Sequence, residues 1–159
     1  MDSSARQLIS LPTLVFAVQI HRPVLDYIRR CTLGSPYEAC GALYGYIRRD
    51  DLIISAVRSC HNHDQAPDGF ALDFEDLFHC PERHADAGLV GIFHSHPAES
   101  AHLSAVDCFF LNRARWVWLV SGSLPNSNEV EIRCYVRARK RIQEINYAVI
   151  ENTAELVPG

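Results

Sequence analysis

The sequence predicts one domain of the α/β or mixed α+β class, with antiparallel strands toward its C-terminal end. Three observations carry this expectation. The chain has 159 residues, and at roughly 100–200 residues per domain that is one domain able to bury its own core. Apolar residues make up 48% and charged residues 21%, a globular mixture that argues against extended disorder. Strand-like segments alternate along the chain with segments of helical spacing.

The elements follow in order. Residues 14–20 are apolar and β-branched, as a first strand requires. Pro23 sits where a helix can begin, apolar residues recur at 24, 25, 28, 31 and 33, and Gly34 supplies the stop. Residues 40–47 and 52–57 read as two strands, joined by the charged stretch 48–51 into a hairpin. Residues 61–69 hold Asn, Asp, Pro and Gly and read as a polar loop. Asp73 can cap a helix running to about Ala87, with Gly88 as its stop. A short apolar strand at 89–94 and a loop at 97–103 follow, and Ser104 opens a helix to about Ala114. Residues 116–121, 130–137 and 141–150 read as three strands, with a turn at 122–128 between the first two. The aromatic residues Phe109, Phe110, Trp116 and Trp118 are expected in the core.

Charge and apolar patterning narrow the function classes. Lys plus Arg is 15 and Asp plus Glu is 19, a net charge of −4, which speaks against nucleic acid as a partner. The longest apolar runs, 14–18 and 116–120, are five residues each, far below the roughly 18 that span a bilayer. The opening MDSSARQLISLPTLVFAV has one Arg and an apolar stretch broken by Ser10 and Pro12. No small-residue cleavage site follows, so it reads as a strand rather than an export signal. The six cysteines are widely spaced within apolar segments. They read as buried thiols of a reducing compartment, and the expected location is cytoplasmic. Of the eight histidines, all but His21 lie between His61 and His102, which directs attention to metal chemistry.

The informative residues are His94-Ser95-His96 and, seven residues later, Ser104-Ala105-Val106-Asp107. Positions i and i+2 of a strand point to one side, so His94 and His96 can present two imidazoles to one point. Ser104 and Asp107 are three apart at a helix start, which places them on one face. Two His and one carboxylate are the ligand set of an open catalytic zinc site, which keeps its fourth position for water. Such a site needs a base, so a second carboxylate from another element is expected nearby. Ser104 and Asp107 also fit a capping box that satisfies free amides at the helix start.

The segment HSHPAESAHLSAVD resembles the signature of the JAMM, or MPN+, metalloproteases. Two further segments agree with that family: PYEACGALYGY, with its Glu-x-Cys-Gly-x-Leu-x-Gly pattern, and NHDQAPDGFALD, with Asn62, Pro67 and Phe70. The likeness covers about 13–150, leaving 1–12 as an N-terminal extension and 151–159 as a tail. It is closest to the small stand-alone prokaryotic members, and departs from them at Leu103, where they often carry Pro. The resemblance implies a curved mixed sheet flanked by helices, related to the cytidine-deaminase-like architecture. It implies that His94, His96 and Asp107 hold Zn²⁺, that Glu38 is the general acid–base, and that Ser104 donates to the oxyanion. It also implies hydrolysis of a peptide or isopeptide bond after the C-terminal Gly of a ubiquitin-like or sulfur-carrier protein, which must come as a separate chain.

Other readings compete. Zinc deaminases need His-x-Glu and Pro-Cys-x-x-Cys, which this chain lacks. RadC-type DNA-associated proteins share a related signature, but their loop reads more like HNHPSG and this chain is acidic. A non-catalytic interaction module of the MPN type is the remaining alternative. Cys60, His63, Cys80 and His84 have finger-like spacings that could form a second metal site.

Overall fold

The structure, a computed structural model, describes residues 17–60, 87–113 and 116–151. Among these residues the chain forms eight strands and two helices. They are β1 (Ala17–His21), α1 (Arg22–Leu33), β2 (Cys40–Arg48), β3 (Asp51–Cys60), β4 (Gly88–His96), α2 (Ala105–Leu111), β5 (Val117–Ser123), β6 (Val130–Ala138), β7 (Arg141–Ile145) and β8 (Tyr147–Ile150). The strands make one sheet in the order β7-β6-β5-β4-β2-β3-β1-β8. β1 runs parallel to both β3 and β8, β4 runs parallel to β5, and the other neighbours are antiparallel. The expected mixed, curved sheet is therefore present.

Several elements form for the reasons their residues suggest. Pro23 lies in the first turn of α1, and the N–H of Gly34 closes the last turn on Arg30 O at 2.9 Å. The β2–β3 hairpin turns at Arg49-Asp50 and the β6–β7 hairpin at Arg139-Lys140. All four residues take positive φ, the left-handed pair that a two-residue turn between twisted strands requires. The pairing of β2 shifts register once against β3 and once against β4, and such irregularities bend a strand.

Where expectation and structure differ, long-range pairing decides. Residues 141–150 are two strands, not one: β7 pairs with β6 at one edge, and β8 pairs with β1 at the other. The strand expected at 89–94 extends through His96, because Ser95 and His96 pair with Ser121 and Gly122. Those same pairings draw Gly122 out of the expected turn and into β5. Gly88 opens β4 rather than simply ending a helix. The helix from Ser104 ends at Leu111, capped by Asn112, short of Ala114. Phe109 and Phe110 are not core: each is 52% exposed, on the outer side of this short helix. Trp118 is buried as expected, and Trp116 packs partly buried against the same cluster. The first part of the strand at 14–20, the loop at 61–69 with Asn62, and all but the last residue of the helix expected at 73–87 lie outside the described residues.

Alternation along the strands separates two cores. On one face, Leu43, Phe93 and Leu119 pack with Val24, Leu25 and Ile28 of α1. Tyr147 of β8 donates its hydroxyl to Ile132 O of β6 at 3.1 Å, so strands from opposite ends of the sheet meet around this face. The sheet is curled, with α1 inside the curl. On the other face, Ala42, Ile92, Trp118 and Val120 pack with Leu111 of α2 and Ala101. No helix among the described residues is long and apolar enough to cross a membrane. Leu25 is the centre of the inner core, fully buried. Leu25→Ala is expected to cost about 2–5 kcal/mol, measured by chemical denaturation.

Candidate metal centre

The last residues of β4 face the outer core in alternation. Ile92, His94 and His96 point outward, whereas Phe93 and Ser95 point toward α1. Asp107 reaches the same place from the first turn of α2. His94 Nε2 lies 3.1 Å from Asp107 Oδ1, His96 Nε2 lies 3.2 Å from Asp107 Oδ2, and the two Nε2 atoms are 3.1 Å apart. All three residues are buried. The expected convergence of these side chains is therefore present, and they are a group that could hold a metal ion.

The surroundings orient each donor. His96 Nδ1 lies 3.0 Å from the carbonyl of Ser100. A carbonyl only accepts, so Nδ1 carries the proton and Nε2 of the neutral ring offers a lone pair. The ring of His94 stands edge-on to Trp118, with centroids 5.4 Å apart. Ser104 is the N-cap of α2: its hydroxyl accepts from Asp107 N–H at 3.1 Å, and its own N–H donates to Asp107 Oδ2 at 2.8 Å. The capping box is thus formed, and it aims the Asp107 carboxylate back toward the imidazoles. Ser104 is itself exposed.

Electrostatics make the site a sink for positive charge. Burial works to raise the Asp107 pKa, but the adjoining His94 and His96 rings outweigh it and hold the carboxyl well below its usual range. Burial pushes His94 down against the pull of Asp107. At His96 burial is opposed and outweighed by Asp107, the Ser100 carbonyl and Glu38, all of which favour the protonated ring, so its pKa rises. In the neutral ring the lone pair on His96 Nε2 faces a carboxylate oxygen at 3.2 Å, and two acceptors so placed are what a divalent cation would satisfy. The donor set of two imidazoles and one carboxylate suits zinc with an open position.

Glu38 joins the site through strand register. Cys40 pairs with His94, and the next rung outward joins Ser95 N–H to Ala39 O at 2.8 Å. Continuing the antiparallel count sets Glu38 opposite His96, on the same face. Glu38 is only 7% exposed, so it is not a solvated charge at a helix end. It also lines a cleft of about 600 Å³ with Arg30, Tyr37, Cys40 and Cys60. Glu99, another carboxylate close in sequence to the histidines, is exposed. Of the possible second metal site, Cys60 ends β3, while His63, Cys80 and His84 lie outside the described residues.

The sequence reading missed what holds the loop after His96. Ala101 is fully buried, its carbonyl accepts from Tyr135 OH at 2.9 Å, and its N–H donates to Glu131 Oε2 at 3.4 Å. The loop lies so close to β5 that a Cβ on Gly122 would stand 2.3 Å from Glu99 O and 2.6 Å from Ala101 N. Leu103 is half-buried against the outer core. The run Ser-Gly-Ser at 121–123 was the available signal, but it reads equally well as a turn.

Comparison with known proteins bears on this arrangement. A family model described as prokaryotic homologs of the JAB domain matches residues 22–137. The chain is 28% identical over 152 residues to a desampylase of Pyrococcus furiosus, covering 94% of this chain and 99% of that one. Three solved structures share the fold. A protein of Desulfitobacterium hafniense has a TM-score of 0.73 at 24% identity, with 85% of this chain and 94% of that one covered. A protein of Salinibacter ruber has a TM-score of 0.59 at 20% identity, with 83% and 91% covered. A JAB1/MPN domain protein of Archaeoglobus fulgidus has a TM-score of 0.56 at 18% identity, with 86% and 99% covered.

The packing at Gly122 yields a test. In Gly122→Ala the added methyl meets backbone, so the loop must move and carry the Ser100 carbonyl off His96. The expected result is a loss of about 1–3 kcal/mol in stability and of about 10–100-fold in zinc affinity. Thermal melting and competition against a chelator measure the two. Wild-type zinc affinity in this variant would show that the loop does not orient His96.

Proposed function

The chain is a member of the prokaryotic JAB-domain family, and from that premise we propose that it is a zinc-dependent hydrolase of ubiquitin-like conjugates. In this reading it cuts a peptide or isopeptide bond after the C-terminal glycine of a ubiquitin-like or sulfur-carrier protein that arrives as a separate chain. One observation carries the proposal: His94, His96 and Asp107 meet at one buried point with a buried carboxylate, Glu38, at the facing strand end. Similarity to a desampylase over nearly the whole length supports the class of substrate. A non-catalytic interaction module of the same family has no use for a complete donor set with a base beside it. We take 13–150 as the catalytic domain and the cytoplasm as its place of work, which the free thiols of Cys31, Cys40, Cys108 and Cys134 suit.

The proposed roles follow from chemistry. His94, His96 and Asp107 hold the zinc, which when bound acts as a Lewis acid and makes water acidic enough to ionise near neutral pH. Glu38 takes the proton of the attacking water and returns it to the departing amine, a transfer that suits a carboxylate lifted out of bulk solvent. Ser104 keeps its hydroxyl proton free to donate, because its oxygen is the acceptor in the capping box. That proton is directed at the substrate carbonyl oxygen as it gains negative charge.

Two measurements decide this. First, the protein is expected to bind one zinc per chain tightly. Asp107→Ala should lose the metal, and Glu38→Gln should keep it while turnover on a ubiquitin-like fusion falls at least 10²-fold. Full zinc in Asp107→Ala would refute the ligand set, and a near-normal rate in Glu38→Gln would refute the base. Zinc without cleavage of any such fusion would favour the interaction module.

Second, Ser104→Ala should separate capping from catalysis. Loss of the cap alone costs about 1 kcal/mol of stability. Loss of an oxyanion donor lowers turnover by roughly 10²–10³ with zinc retained. Single-turnover cleavage and melting of the same preparation are the readouts. A lower melting point with an unchanged rate would mean that Ser104 is a cap and nothing more.

A further inference from the structure

The bonds around Ala39 are not used by the scheme above. β2 leaves β4 at the Cys40–His94 pair. One step further, Ser95 N–H donates to Ala39 O at 2.8 Å, the main-chain rung that a continuing ladder would make. The other donor of that rung, Ala39 N–H, goes to the Ser95 hydroxyl oxygen, also at 2.8 Å. Ser95 therefore grips both polar groups of the residue beside Glu38. Its side chain is fully buried and points toward α1, away from the imidazoles on either side of it.

We propose that Ser95 is a positioning residue for Glu38: its hydroxyl takes the Ala39 amide and fixes where the chain carries the Glu38 carboxylate relative to His96. This rests on reading Glu38 as the proton carrier. A side-chain acceptor does not sit where a main-chain carbonyl would, so it holds the segment out of regular strand geometry just before the base. Ser95 Oγ accepts one bond here and retains its own proton for a further partner, whereas alanine offers no acceptor. Threonine keeps the hydroxyl on a side chain that strands accommodate. Proton transfer is steeply sensitive to placement, and a misplacement of about 1 Å can cost 10²-fold in rate.

The test compares the zinc-loaded full chain with Ser95→Ala and Ser95→Thr. In Ser95→Ala we expect full zinc, a KM within about twofold of wild type and a kcat lowered by about 10–100-fold. Amide exchange at Ala39 should accelerate at least tenfold, the Glu38 carboxyl carbon resonance should move, and Ser95→Thr should restore all of these. An unchanged kcat in Ser95→Ala overturns the proposal. So does zinc loss in proportion to activity, which would mean that Ser95 acts through the imidazoles, and so does a Ser95→Thr protein as slow as Ser95→Ala. If Ser95→Ala does not fold, Ser95→Cys keeps the volume with a poor acceptor and takes its place. If wild type cleaves no ubiquitin-like fusion, the proposed function fails separately. The Ala39 exchange rate and the Glu38 resonance then decide, and both unchanged in the variant overturns the clamp.

Discussion

Asn146 alone separates β7, at one end of the sheet, from β8, at the other. Laid flat, eight strands place their outermost members seven spacings apart, about 33 Å at the usual interval between strands. A chain advances at most about 3.6 Å per residue. The sheet must therefore close on itself. Closure gives it an inside and an outside with different occupants. The inside takes α1 and becomes a largely apolar core. The outside is left for α2, for the loop after His96, and for polar side chains that converge there.

The same closure explains how a charged group can be buried so cheaply. Asp107 is only 4% exposed, yet its carboxylate oxygens are met by two ring nitrogens and an amide of its own helix cap. A carboxylate with that many partners stays ionised when buried, and one without them would take up a proton. The donors are delivered by separate elements, a strand end and a helix start. Their fit therefore depends on the rigidity of what lies beneath. The buried hydroxyl pair of Thr32 and Ser121, 2.7 Å apart, ties α1 to β5 at the Ser95–Ser121 pair, one position before His96 and Gly122.

How much of this could be read from the sequence depends on how local the cause was. The pairing of His94 with His96, and of Ser104 with Asp107, follows from strand and helix periods, and both survive in the structure. The extents of α1 and of the first hairpin were set by Pro23, Gly34 and a charged turn, all local signals. Glu38 was different. Nothing near it in sequence foretold burial, which comes from the β2–β4 register and so from residues more than fifty positions away. The break at Asn146 was equally hidden, because the pattern on either side of it suits a strand. Phe109 and Phe110 looked like core by composition. The helix that carries them is too short to turn both inward while Asp107 and Leu111 occupy its buried side. Residues 61–86 lie outside the described part of the chain, so the middle helix expected there adds nothing to this comparison.

The parallel pairing of β1 with β8 has a consequence for how the molecule is made. Translation delivers Val18 and Ile20 early, and their outer partners Tyr147 and Val149 after every other described strand. During that interval the donors and acceptors along one side of β1 have no strand to bond. An open strand side of this kind is what nascent chains use to join one another wrongly. His94, His96 and Asp107 have by then all been synthesised, since Asp107 precedes β5. The ribosome thus releases these three side chains before the seam that locks their scaffold, and sealing the seam is left to four residues, Tyr147–Ile150.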